Sequence, residues 1–390
     1  MIYYIAHWDW ILKNSRAEIA KKVDFNITGI SPIIDYKDEL EDAFSSNINW
    51  EYKRQKLIHL MGIFRLRRLI KNFKEKDILH IFTLKSLIIY LISSIFTNKK
   101  YTVIASVTGL GYLFANTKFA NFLKLVLRYF ISSRINSLVD VIIFQNKDNQ
   151  TKFVEYTKFK NRVEIIEGSG LQTKLITKKE SFNKKLKIIF VGRLLKEKGI
   201  FEYIDIINQL SNHEDLEFYI AGSRDPGNRS SLTEKDFKKM QNIPDLQYLG
   251  EIDINSELYK YDILVLPSYH EGFSRILLEA AYTGLYCIVN DIPGTRNIIS
   301  TTNCGQLIKE NNIEQYVNEL KNICKKLPDL NHSSTREIIT ENYSVEAIAM
   351  RMTNLYKEYV CKYTIITFEC LFTLDFNFFF NLLLFSKKKT

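Results

Sequence analysis

Residues 262–300 read DILVLPSYHEGFSRILLEAAYTGLYCIVNDIPGTRNIIS. The apolar run Asp262–Leu266, closed by Pro267 and Ser268, has the composition of a strand buried on both faces of a parallel sheet. A polar loop, Tyr269–Phe273, follows, and Gly272 within it permits an unusual backbone. Ser274 then opens a helical pattern in which Ile276, Leu277, Leu278, Ala280 and Ala281 are apolar and Glu279 interrupts them. Gly284 ends that helix, and Tyr286–Asn290 reads as the next strand. The order strand–loop–helix–strand gives two carboxylates fixed addresses. Glu271 sits in the loop at the carboxyl end of a strand. Glu279 sits inside a mostly apolar helix, where a carboxylate must find a partner or a ligand because burying it unpaired is costly.

The same alternation extends in both directions. Leu186–Val191 reads as a strand and leads into Gly192-Arg193-Leu194-Leu195-Lys196-Glu197-Lys198-Gly199, with a helix expected over Ile200–Leu210. Arg193 offers a planar fork to phosphate oxygens and Lys198 a point charge, and the start of the helix aims backbone N–H groups at the same region. Leu216–Ala221 and Leu246–Leu249 are further strands, the second followed by Gly250-Glu251-Ile252. Nearer the N-terminus, strands are expected at Ile2–Ala6, Ile78–Phe82, Tyr101–Val107, Asp140–Gln145 and Val163–Ile166, with helices over Ser15–Val23, Leu57–Phe73 and Thr117–Leu138. The loops after these strands carry His7-Trp8-Asp9-Trp10, Thr83-Leu84-Lys85-Ser86 and Thr108-Gly109-Leu110-Gly111-Tyr112. Two glycines after a strand let backbone N–H groups approach a phosphate or a sugar. Strand and helix alternate throughout, which argues for doubly wound parallel sheets. Glu167-Gly168-Ser169-Gly170 and the lysine-rich run Lys174–Lys185 mark the linker between two halves.

Composition narrows the class. The 390 residues suffice for two domains, and 46% hydrophobic with 25% charged residues is ordinary for a globular protein. A net charge of +10 favours anionic partners such as nucleotides and phospholipids. Nucleic acid is not among the expected partners, because no DNA- or RNA-binding motif accompanies the charge. The five cysteines show no CxxC pairing, so neither a zinc site nor a disulfide framework is indicated, and a reduced cytoplasm is expected. MIYYIAHWDW lacks the basic start and long apolar core of a signal peptide. The helix Thr117–Leu138 mixes Phe, Leu, Val and Ile with Lys118, Lys124, Arg128 and Arg134, a pattern suited to an anionic membrane surface.

Glu271-x7-Glu279, preceded by Pro267-Ser268 and followed by Asp291-Ile292-Pro293-Gly294, resembles the nucleotide-sugar site of family 4 retaining glycosyltransferases of the GT-B fold. PSYHEGFSRILLEAA, FTLKS and TGLGY look most like bacterial enzymes that build O-antigen, capsule or other glycans on a lipid carrier. The resemblance covers residues 1–360. It implies an α/β fold of two Rossmann-like domains facing a cleft: 1–173 for the acceptor, 174–341 for the nucleotide sugar, and a helix 342–360 crossing back to the first domain. It implies a hexosyl- or N-acetylhexosaminyltransferase, metal-independent and without a cofactor. The donor is expected to be a UDP-sugar and the acceptor a polyprenyl-diphosphate-linked saccharide at the inner face of the cytoplasmic membrane. Glu271, Arg193 and Lys198 carry catalysis in this reading. Glu279, Gly192, His270, Gly272, Phe273, Ser274, Glu251, Gly109 and Gly111 bind the donor, and Asp9 and Thr108 the acceptor. Two departures are visible. Ser15 stands where the family usually carries a histidine before Arg16, and Thr295-Arg296-Asn297 stands where many relatives have an acid. Two other readings fit the same fold: a sugar-nucleotide epimerase, and a non-catalytic membrane-associated scaffold.

Residues 361–390 depart from the pattern. Tyr363–Phe385 is long enough to span a bilayer, but Glu369 and Asp375 lie inside it, and each acid at the centre costs ~2.5–3.5 kcal/mol on insertion. Interfacial attachment and a disordered or non-native extension are the alternatives to a span.

Overall fold

The computed structural model describes residues 1–53, 59–110, 118–211, 213–228, 230–310, 312–326 and 332–361, with only the helical backbone described over 118–127. The expectations placed on Gly111, Tyr112 and the apolar tail from 362 onward lie outside the described residues.

Two fully parallel sheets are present. The first comprises β1 (Ile2–Ile5), β2 (Ile27–Ser31), β3 (Ser46–Asn49), β4 (Ile78–Phe82), β5 (Thr102–Val107), β6 (Val141–Phe144) and β7 (Arg162–Ile165), in the order β3-β2-β1-β4-β5-β6-β7. The second comprises β8 (Leu186–Val191), β9 (Leu216–Ala221), β10 (Leu246–Tyr248), β11 (Ile263–Leu266), β12 (Tyr286–Asn290) and β13 (Gly305–Ile308), in the order β10-β9-β8-β11-β12-β13. Their central strands are buried apart from half-buried Tyr3 in β1 and Lys187 in β8, as expected of runs rich in Ile, Leu and Val covered on both faces. In each sheet the winding reverses once, between β1 and β4 and between β8 and β11. The loops leaving paired strands diverge at such a switch point and leave a crevice beyond their carboxyl ends. His7–Asp9 and Thr83–Ser86 therefore flank one crevice, and Gly192–Gly199 and Pro267–Ser274 the other.

The helix expected over Ser15–Val23 is two helices, Asp9–Ser15 and Ala17–Lys22, broken at Arg16 (φ −134°). Pro293-Gly294-Thr295 is the first turn of helix Pro293–Thr302; proline at the start of a helix lacks only an N–H that would be unpaired anyway. The final helix, 345–361, leaves the second half and packs on the first sheet. Val345, Ile348, Ala349, Met352, Leu355 and Tyr356 join Ile2, Tyr4, Phe82 and Ile104 in one buried cluster.

Candidate functional site

Lys198 and Glu271 meet at the switch point of the second sheet. Lys198 Nζ lies 2.6 Å from Glu271 Oε1, with both side chains mostly buried. Gly199 makes the approach possible: at φ 77° it occupies the left-handed region, and a Cβ there would lie 2.1 Å from the Pro267 carbonyl oxygen. Arg193, in the same turn, points to the rim, where it is exposed and pairs with Asp225 at 2.9 Å. Tyr269 N–H donates to the Glu197 carbonyl at 3.0 Å, and its hydroxyl donates to Glu202, fixing the loop between Pro267 and Glu271 against the helix Ile200–Leu210.

Glu279 is 7% exposed, on helix Arg275–Thr283. Burial raises its pKa, and Arg275, donating from Nε at 2.9 Å, pulls it back down. The i,i+4 spacing was available in the sequence as a signal for this partner. Arg275 also donates from Nη1 to the Asn14 carbonyl at 3.1 Å, so one guanidinium joins the buried carboxylate to the first sheet's loops.

The two sheets' loops close on each other at Gly272. Asn146 Nδ2 donates to the Gly272 carbonyl at 2.7 Å. A Cβ at Gly272 would lie 2.1 Å from the Thr108 carbonyl oxygen and 3.3 Å from Gln145 Oε1, so this seam admits only glycine. Arg296 pairs with Asp291 at 2.5 Å and reaches Asp148 at 3.4 Å, and Asn297 donates to Glu167 at 2.9 Å. The residues that replace the expected acid after Gly294 are thus seam contacts.

A family model described as "Glycosyl transferase 4-like" matches residues 1–146, and one described as "Glycosyl transferases group 1" matches residues 172–342. Together they cover every strand but β7. The chain belongs to the GT-B glycosyltransferases of the family 4 type. It is 28% identical over 308 residues to N,N'-diacetylbacillosaminyl-diphospho-undecaprenol alpha-1,3-N-acetylgalactosaminyltransferase of Campylobacter jejuni, covering 73% of this chain and 77% of that one. It is 26% identical over 353 residues to UDP-Gal:alpha-D-GlcNAc-diphosphoundecaprenol alpha-1,3-galactosyltransferase of Escherichia coli, covering 84% and 87%. Anabaena HepE in complex with UDP superposes with a TM-score of 0.72 at 14% identity, over 92% of this chain and 99% of that one.

Within the transferase, the remaining expected site residues fall into three groups. Gly192, Gly109 and Thr108 line the loops at strand ends, and none of the described residues lies within 4 Å of the position of a Cβ at Gly109. Exposed His270 and Glu251 stand on the surface of their loops. Phe273, Ser274 and Asp9 are occupied within the fold. The Phe273 ring packs 5.5 Å from that of Tyr343 and against Gly168. Ser274 is buried; its N–H donates to the Gly294 carbonyl at 3.0 Å, while its hydroxyl has no partner among the described residues. The placement of Asp9 corrects the expectation of an acceptor-facing loop acid. It is fully buried in the first turn of its helix, and its oxygens accept the N–H groups of Trp10, Ile34 and Asp35, each at 2.9 Å. A carboxylate so satisfied holds the loop after β2; Ile34 and Asp35 are remote in sequence, which is why local reading missed them. Among the described residues, no group of three His, Cys, Asp or Glu side chains is placed to hold a metal ion.

Proposed function

We propose that the transferase is retaining and moves a hexose or N-acetylhexosamine from a UDP-sugar to a polyprenyl-diphosphate-linked saccharide, in the assembly of a surface polysaccharide. The observation that carries this reading is the Lys198–Glu271 pair at the switch point of the second sheet. The Campylobacter and Escherichia relatives, named for acceptors on undecaprenyl diphosphate, and the UDP bound by HepE support the substrate classes.

The residues do the following work in this proposal. Glu279 accepts hydrogen bonds from the ribose hydroxyls. Arg193 and Lys198 take the diphosphate, releasing Asp225 and Glu271 from their present ion pairs. As the bond between the sugar's anomeric carbon and the diphosphate breaks, negative charge grows on the phosphate oxygens, and the two cations stabilise it without a metal ion. Glu271, freed from Lys198, orients the sugar hydroxyls. The acceptor hydroxyl attacks from the face the diphosphate leaves, and its proton passes to the departing phosphate oxygen, so anomeric configuration is kept.

We also place the transferase peripherally at an anionic membrane surface on the cytoplasmic side. No described helix is long and apolar enough to cross a membrane. Helix Leu60–Ile70 supports attachment: Leu60, Met61 and Phe64 are exposed on it, and residues 52–74 hold eight Lys or Arg and no Asp or Glu.

The deciding experiment is transfer from a panel of UDP-sugars to lipid-linked acceptors, run with the wild type, Glu279→Ala and Arg193→Ala. One donor is expected to give a lipid-bound product with retained configuration. Arg193→Ala is expected to lower kcat by about 10²-fold or more with an unchanged melting temperature. Full turnover in Arg193→Ala sinks the diphosphate assignment. A rearranged sugar without acceptor indicates an epimerase, and neither product nor UDP release indicates a scaffold.

A further inference from the structure

Arg16 lies in the break between the helices Asp9–Ser15 and Ala17–Lys22, and only 3% of it is exposed. Among the described residues no carboxylate pairs with it, and its Nε is buried without a hydrogen-bond partner. The guanidinium lies 4.5 Å over the ring of Phe82, the last residue of β4. A buried arginine ordinarily spends its N–H groups on carboxylate or carbonyl oxygens, because an uncompensated charge in the interior is unfavourable. Burial pushes its pKa down to about 10, which leaves it cationic at neutral pH.

Its surroundings belong to the cleft. Arg16 packs with Ser106, Thr108, Gln145 and Gly168 at the carboxyl ends of β5, β6 and β7, in a seam closed too tightly to admit a water molecule. A small crevice of about 30 Å³ begins at the same Gln145 and Gly168 and runs to Phe273 and Arg275. The seam at Gly272 closes over both, through Thr108 and Gln145. Thr83, the residue after Phe82, holds φ 79°, a conformation that β-branched residues avoid and that clusters where structure is bent to a task. A cation without a counterion and a strained backbone thus meet at the switch point of the first sheet.

We propose that Arg16 is a substrate-binding residue of the cleft, its guanidinium taking a phosphate oxygen when the seam at Gly272 parts. This rests on the reading that both substrates carry a diphosphate. The fork of Arg16 is then completed by substrate, and the free transferase carries an unpaired charge in its place. Two sources present the same chemistry, the diphosphate of the donor and that of the lipid carrier.

The test is calorimetric titration of UDP and of a short-chain polyprenyl diphosphate into the full chain, for the wild type, Arg16→Met and Arg16→Lys, with melting temperatures of each free protein. The expected result is a loss of affinity of about tenfold or more in Arg16→Met for one ligand, with Arg16→Lys intermediate and the melting temperature unchanged or raised. Loss confined to UDP assigns the donor diphosphate, and loss confined to the polyprenyl diphosphate assigns the carrier. A purely structural arginine predicts a lowered melting temperature in both variants with ligand affinities within twofold of wild type, and that result overturns the proposal. Arg16→Lys keeps the charge, so it supplies the affinity comparison if Arg16→Met fails to fold. Absence of binding by the wild type overturns the diphosphate reading itself, and Arg16 with it; wild-type binding that both variants retain overturns Arg16 alone.

Discussion

Glu279 shows how one buried carboxylate is kept usable. Desolvation raises its pKa and the Arg275 guanidinium opposes that rise. Removing the guanidinium in Arg275→Gln leaves desolvation alone, so the carboxyl titrates higher still. Because donor binding in the proposed mechanism needs the carboxylate, the acid limb of the pH–kcat/KM profile is expected to move toward neutral pH in Arg275→Gln. Glu279→Gln is expected to abolish the limb. Stability follows the same sign. A carboxyl whose folded pKa exceeds its unfolded value stabilises the fold below the unfolded value and loses that contribution as pH rises through the folded one. Arg275→Gln is therefore expected to melt progressively lower than wild type as pH increases from 4 toward 7. A profile with an unmoved acid limb places the titration on another group. The carboxylate was legible in the sequence, because an acid inside an apolar helix is conspicuous. The Asn14 contact of Arg275 was not, since it depends on how far the two halves close.

At the scale of elements, β4 and β8 were legible to the residue, because each is an apolar run broken by a single polar residue, His80 in one and Lys187 in the other, and is covered on both faces. β2, β3 and β13 were not. β2 is ITGIS, interrupted by Gly29, whose hydrogen lies against Asn47 and Phe44 so closely that a Cβ would meet Asn47 Oδ1 at 2.5 Å. β3 is the polar edge sequence SNIN and β13 is GQLI, and neither presents a face of apolar side chains. The final helix 345–361 was legible as a helix from its spacing, but the polar lock that anchors it was hidden. Tyr356 hydroxyl donates to Tyr4 hydroxyl at 2.9 Å and accepts from His80 Nδ1 at 2.6 Å, and His80 Nε2 accepts from Ser106 at 2.7 Å. A neutral imidazole satisfies every member. Burial and the charge of Arg16 drive the His80 pKa well below its ordinary value. Its folded pKa is depressed, so the lock is fully present above about pH 6.5 and is lost as pH falls below that value toward the folded pKa. The melting temperature is expected to drop from pH 7 to 5. His80→Phe is expected to cost about 1–3 kcal/mol at pH 7, from the unsatisfied Tyr356 and Ser106 hydroxyls, and to flatten that pH dependence. The slope that remains belongs to His332, whose pKa is lowered by burial and by Arg336. An acid slope as steep in His80→Phe as in wild type assigns it to other groups.

The whole molecule has a direction. Both sheets point their strand carboxyl ends into the cleft, and helix Leu60–Ile70, which follows β3 and precedes β4, starts on the cleft side of the first sheet as a parallel crossover requires. Leu60, Met61 and Phe64 therefore stand on the cleft side, where the proposed function brings in a lipid-linked acceptor, with Arg67 and Arg68 further along the helix and Lys71 at its end. Gly62, Ile63, Leu66 and Ile70 face the core. Rotation of 100° per residue places the exposed apolar and cationic side chains on one arc. Three large apolar side chains held in water beside cations match an interface of acyl chains under anionic headgroups. Burying each is worth about 1.5–3 kcal/mol and each cation about 1 kcal/mol near such a surface. The transferase is expected to float with vesicles containing phosphatidylglycerol and to remain behind with phosphatidylcholine alone. Serine at positions 60, 61 and 64 is expected to abolish flotation at every salt concentration. Reversing Arg67, Arg68 and Lys71 to glutamate is expected to abolish it at low salt as well, while wild-type flotation falls off only as the Debye length shortens. Both sets should leave transfer to a water-soluble acceptor analogue within about twofold of wild type, since substitutions of exposed side chains away from the cleft loops perturb the fold little. Flotation unaltered in both sets moves the membrane-facing surface off this helix, and with it the direction from which the acceptor enters the cleft.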